Sequence, residues 1–228
     1  MNTYSWNPSS NCTKVWTDPN CWTNGQFPGP APNSFYAPQG NVTINTNKDL
    51  TITFNPESDP SWFQITDLTL GGSGSLTISA PLANVAFWVL GTLSGISSTL
   101  NLTGGCNYRI NDAADFSGDI NVINSSLIIV PLMQQTGANF SGANISLTTS
   151  RLWINSASQF LRLAGDNSSN LSLFNGSIRS AYPITGISMQ GNCSCETQNL
   201  NVDSGDILPG TCTLDSTQNL LSCNTVSI

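Results

Sequence analysis

Chemistry-bearing side chains are scarce in this 228-residue chain. Asp112, Asp115 and Asp119 fall together in NDAADFSGD. Carboxylate oxygens suit calcium, but the sister segment TGANFSG supplies no second carboxylate row, so a solvated acidic corner is the expectation. The only two glutamates, Glu57 and Glu196, lie far apart in sequence, which leaves no carboxylate pair for glycoside hydrolysis. There is no histidine, hence neither the commonest general base nor the commonest metal ligand. No G-x-S-x-G nucleophile motif occurs, and GGSGS at 71–75 reads as a turn between strands, not a phosphate loop. No catalytic residue, metal site or cofactor is expected.

Seven cysteines carry the remaining chemistry. Cys12 and Cys21 are close enough in sequence to close a small disulfide loop. Cys193, Cys195, Cys212 and Cys223 are expected to form disulfides near the C-terminus, with three pairings open. Their spacing does not fit zinc. Cys106, in GGCNYR, is the odd one: a small buried residue, or a bridge to a second chain. Trp6, Trp16 and Trp22 cluster before the repeats begin and read either as a cap or as a ligand platform for sugars.

Composition narrows the class. Only 8% of residues are charged, and Ser, Thr, Asn and Gly supply the polarity instead. The net charge is −7, and the six basic residues form no patch along the sequence, so nucleic acid lacks its electrostatic footprint. No run of 18 apolar residues exists, so no membrane span is expected. The opening MNTYSWNPSS has neither the basic start nor the apolar run of a secretory leader. Ten N-x-S/T sequons nevertheless point outside the cell, at Asn11, Asn41, Asn101, Asn124, Asn139, Asn144, Asn167, Asn170, Asn175 and Asn192. A chain this rich in Asn, Ser and Thr produces some of these by chance.

The elements that must position these groups repeat. Apolar pairs at period two mark strands. One series starts at residues 42, 68, 93, 120, 145 and 171, and a second at 50, 76, 100, 127, 152 and 178. Both advance by about 26 residues. A looser third beat includes Phe63, Val89, Phe116 and Phe140, and ADFSGDINV is nearly restated as ANFSGANISL. Three short strands per repeat exceed the left-handed hexapeptide coil of about 18 residues and fall short of a propeller blade. The prediction is an all-β, right-handed parallel β-helix of six to eight coils of about 26 residues. Leu76, Leu100, Leu127, Leu152 and Ile178 are expected in one inward column. Asp67, Thr92, Asp119, Asn144 and Asn170 should share one corner, where Asn144 and Asn170 stack as glycans or as an amide ladder. Arg109, Arg151 and Arg179 fall in different registers, with Arg151 and Arg179 on opposite sides of the wall.

Open ends of such a helix invite edge-to-edge pairing and need covers. The expected division is an aromatic, proline-rich cap at 1–40, coils at 41–190 and a Cys-rich coil and cap at 191–228, all one structural domain.

This organisation resembles the right-handed parallel β-helix superfamily, often called pectin-lyase-like, over nearly the whole chain, through periodicity. The entry NCWTNGQFPGPAPNSFYAPQGNVTIN resembles the Trp–Gly–Pro lead-in of secreted β-helical surface proteins and adhesin passengers, with Asn33-Ser34 where those usually carry an aspartate. The superfamily's lyases and hydrolases use histidine, clustered aspartates, or calcium with an arginine base, and this chain lacks that set. The expectation is therefore a non-catalytic, secreted or cell-surface, N-glycosylated module for structure, adhesion or recognition. Its partner would be a protein or glycan at a cell surface or in the extracellular matrix. The alternatives are a subunit of an extracellular filament or viral fibre, self-associating end to end, and a carbohydrate-active lyase or hydrolase.

Overall fold

A computed structural model describes residues 2–29, 40–54, 62–80, 86–131, 137–154, 157–166, 168–173, 176–182, 184, 186–189, 211–215 and 220–224. The chain is a parallel β-solenoid whose strands join in a single hydrogen-bonded sheet wound on itself. Each coil contributes to three walls. One wall is built by Asn41–Asn45, Leu68–Gly71 and their successors, and a second by Leu50–Thr53, Ser75–Ser79 and theirs. The third, here the tryptophan wall, is built by Trp62–Ile65, residues 86–89 and 107–110, Ser126–Ile129, Arg151–Ile154 and Asn170–Leu173.

The inward residues are the apolar beats of the sequence. Leu50, Leu76, Leu100, Ile120, Ile145 and Leu163 pair in succession, all at most 8% exposed. Phe63, Phe87, Tyr108, Leu127, Leu152 and Leu171 form another column, all at most 2% exposed. Each fully buried aliphatic or phenyl side chain contributes about 1.5–3 kcal/mol, and a layer has nothing to pack on without its neighbours.

These columns correct the predicted lattice. The steps from residue 50 to 163 are 26, 24, 20, 25 and 18, giving about five turns of about 22 residues. A period near 26 holds for three of these steps, and two coils are shortened to 20 and 18 residues. Strand Asn107–Ile123 then serves all three walls in 17 residues, so Ile120 pairs with Leu100 and not with Leu93. Leu127 consequently stands over Tyr108, and Leu100 and Leu127 belong to different columns. The shared corner dissolves as well: Asn144 lies between Asp119 and Arg162, whereas Asn170 lies beside Arg151. An amide ladder does form, but elsewhere. Asn121 Nδ2 donates to Asn101 Oδ1 at 2.9 Å, and Asn101 Nδ2 donates to Thr77 Oγ1 at 3.1 Å.

The corner before the tryptophan wall explains one recurrent polar phrase. Gly104, Asn124 and Thr149 take positive φ there in successive coils, turning the chain into the next strand. Thr149 is β-branched and strained in that region; its N–H donates to both carboxylate oxygens of Asp166, at 3.0 and 2.9 Å. One residue on, buried serines stack. Ser125 N–H donates to Ser150 Oγ at 3.2 Å, and Ser150 N–H to Ser169 Oγ at 3.1 Å. The serines thereby satisfy corner amides that the strand ladder leaves over.

Stacking stays parallel at the N-terminal end and turns antiparallel at the other. At the N-terminus Thr3–Ser5 pairs with 41–43, and the following loop folds over the first coil. At the other end Thr211–Asp215 and Leu220–Asn224 form an antiparallel hairpin whose second strand runs antiparallel to 176–179. The hairpin register sets Cys212 opposite Cys223, within the Cα separation a disulfide needs. Peptide mapping without reduction checks this register: a linked peptide carrying both supports it, and a link from either to Cys193 or Cys195 rejects it. Cys193 and Cys195, with the sequons Asn167, Asn175 and Asn192, lie outside the described residues.

Candidate functional site

The sequence-selected candidates disperse. Asp112 is 6% exposed and its Oδ1 accepts the Asn139 N–H at 2.8 Å, so this carboxylate holds the next coil in place. Asp119 points outward and accepts from Asn144 Nδ2 at 2.9 Å, and Asp115 is exposed. The three do not gather into a ligand cluster. The one such grouping among the described residues is Cys12, Asp18 and Cys21. Its two sulfurs are bonded to each other, so they are not thiolate ligands. Asp18 accepts from the Thr13 N–H and Oγ1, both at 2.7 Å, and these bonds lower its pKa to about 2. It organises the disulfide loop.

Trp6, Trp16 and Trp22 are a cap and not a platform. They are 8, 0 and 3% exposed, and their rings meet edge to face at 5.1 Å. Trp16 also packs on Phe54 and Phe87 of the first coils. With their faces turned inward, none offers a surface to a sugar.

Cys106 is wholly buried, which excludes a bridge to a second chain in the folded state. Burial pushes its thiol up to about 12, because the thiolate is poorly solvated there. A thiol reagent at pH 8 is expected to leave Cys106 untouched in the native protein and to label it after denaturation; prompt native labelling would contradict this packing.

What the sequence reading passed over is the outer face of the tryptophan wall. Two neighbouring columns run along the axis. One contains Trp62, Ala86, Asn107, Ser126, Arg151 and Asn170. The other, two residues along each strand, contains Gln64, Trp88, Arg109, Ile128, Trp153 and Ser172. Three of the six tryptophans and two of the six cations thus share one face. Neither column contains an acidic residue, in a chain of net charge −7. The expected separation of the arginines is corrected here: Arg109 and Arg151 face outward from the same wall. Arg179, paired with Gln159, sits on another wall and is likewise exposed, not on the inner side.

The face is ordered by its own contacts. Trp62 meets Trp88 edge to face at 4.6 Å, and the Arg109 guanidinium lies 5.2 Å from the centre of the Trp88 ring. Arg109 Nε donates to Asn111 Oδ1 at 2.7 Å, and Asn111 Nδ2 in turn donates to the Leu90 carbonyl at 2.7 Å. Arg151 Nε donates to Asn170 Oδ1 at 3.2 Å. Among the described residues no salt bridge engages either guanidinium. Partial burial lowers Arg109 from its ordinary value. Trp153 is 41% exposed, unusual for an indole on a soluble surface. A signal existed in WFQI, FWV and RLWI, where a large side chain occupies the outward beat of an alternating strand. The uneven coil lengths hid that these beats align.

Gln64 and the indole nitrogens of Trp62 and Trp88 are buried, so the accessible part of the wall is the exposed Trp153 indole, able to stack on a ring, and the Arg109 and Arg151 guanidiniums, able to pair with carboxylates. No protein-family model, curated protein or solved structure matches this chain.

Proposed function

We propose that this chain is a non-catalytic β-solenoid working outside the cell, as an N-glycosylated module for recognition or adhesion at a cell surface or in a matrix. The observation that carries the reading is the tryptophan wall: an acid-free, aromatic and cationic strip on an otherwise acidic protein. A solenoid holds such groups on strands, where positions are more rigid than on loops. The Cys12–Cys21 disulfide supports an oxidising compartment. We place the chain nearest the non-enzymatic surface proteins of the right-handed β-helix superfamily. End-to-end assembly into a filament or fibre is the second reading. The aromatic cap and the antiparallel terminal hairpin favour a finite module over it.

Intact mass of the natively secreted protein, before and after N-glycan removal and without reduction, tests the proposal. Asn11, Asn124 and Asn139 are exposed and are the sequons expected to carry glycan. Asn101 is expected to stay bare, because its Nδ2, the atom a glycan would occupy, is held in the amide ladder. A bare chain with free thiols would remove the extracellular reading. Turnover of a polysaccharide would replace it with a lyase or hydrolase.

A further inference from the structure

We infer that the tryptophan wall binds an extended glycan in which an acidic sugar alternates with a neutral one, laid along the solenoid axis. This rests on the recognition reading above and names its ligand class. The rows of the wall are about 4.8 Å apart. Arg109 and Arg151 are two rows apart, about 9.6 Å along the axis, on the scale of a disaccharide.

Both guanidiniums are pre-organised in the same way. Each spends its Nε on a neighbouring asparagine, which leaves the terminal nitrogens as the outward fork. That fork matches the two oxygens of a carboxylate. Arg109 also lies over the Trp88 ring and has surrendered part of its hydration, with no acidic partner among the described residues. A half-buried cation with no acidic partner is costly to keep unless a ligand supplies the anion. The row between the two arginines presents Ile128, and Trp153 stands beside Arg151 on the same strand, where its exposed indole suits the C–H face of the neutral pyranose next to the acidic one.

The charge pattern selects sparse over dense acidity. The wall provides two cations, while the whole chain carries −7. A polymer with an acid on every ring would meet more repulsion from the rest of the surface than two arginines offset. A neutral polymer would leave both forks unpaired.

Calorimetry on the purified native protein tests this with three oligosaccharides of equal length: uronic acid alternating with N-acetylhexosamine, a neutral glucan, and a uronic acid homopolymer. The alternating chain is expected to bind at least tenfold more tightly than either other, and less tightly as salt rises. Arg109→Gln and Arg151→Gln should each weaken it about tenfold, and Trp153→Ala by a similar factor. Arg179→Gln, on a different wall, should leave it unchanged. Arg151 and Trp153 are exposed, so those variants keep the native melting temperature and remain informative even if Arg109→Gln perturbs folding. Equal binding of the neutral glucan, indifference to Arg151→Gln, or no binding of any probe overturns the inference. A secreted, glycosylated protein that binds none of the three loses this ligand and keeps the module reading. A chain that binds the alternating glycan but is recovered unglycosylated with free thiols does the reverse.

Discussion

Trp16→Ala is expected to cost about 3–5 kcal/mol of stability, seen as a fall in Tm of roughly 6–20 °C for a chain of this size. Trp16 is fully buried, touches the rings of Trp22, Phe54 and Phe87, and donates its Nε1–H to the Pro28 carbonyl. Its removal opens a cavity at the end of a stacked core. It also removes a donor from that carbonyl and loosens the loop that carries the Cys12–Cys21 bridge. Because each coil is stabilised chiefly by its neighbours, the damage should begin at the N-terminal end. Hydrogen exchange is expected to show the strands at 41–54 losing protection before those at 137–154. A Tm within a degree or two of the parent would mean that the tryptophans cap nothing.

Gly118→Val is expected to be worse than about 3 kcal/mol, with the variant recovered largely misfolded. Gly118 has φ +138°, and a Cβ there would meet the Ser98 carbonyl oxygen at 2.0 Å. The obstacle is backbone of the preceding coil, so no rotamer relieves it, and the two coils must part. Gly25→Ala is the control. It also has positive φ, at +60°, but nothing lies within 4 Å of its added Cβ, so only backbone strain of about 1–2 kcal/mol applies. The pair of variants tests the register as much as the glycine, because the 98–118 pairing exists only if the fourth coil has shortened to about 20 residues. Near-native melting of Gly118→Val would restore the uniform 26-residue lattice and dissolve the columns of the tryptophan wall with it.

Much of the fold was legible in the residues. Alternation at Leu50-Thr51-Ile52 and its repetition at Leu76-Thr77-Ile78 and Leu100-Asn101-Leu102 specify strands, walls and their parallel stacking. The Cys12–Cys21 spacing and the aromatic lead-in specify a closed N-terminal end. Illegible were the corners. A coil can lose six residues from its bends while all three strands persist, and an average period cannot register that. Asn107–Ile123 is such a coil. From there the predicted columns were displaced by one wall, the short coil from 145 to 163 displaced Leu173 and Ile178 again, and the alignment of Trp88 with Arg109 and Trp153 was invisible.

The sequence by itself determined the class of structure, because inward and outward faces follow from period-two polarity within a strand, a local property. It also determined the scarcity of catalytic groups. Only the tertiary structure decided which residues are neighbours across coils. Those contacts depend on how far the chain travels between one strand and its partner, which turn geometry and core packing set together. The separation of roles among the tryptophans followed from this. Trp6, Trp16 and Trp22 were driven inward by an uncovered core end, whereas Trp62, Trp88 and Trp153 were left outward because their strands had already committed the alternate side chains to the interior.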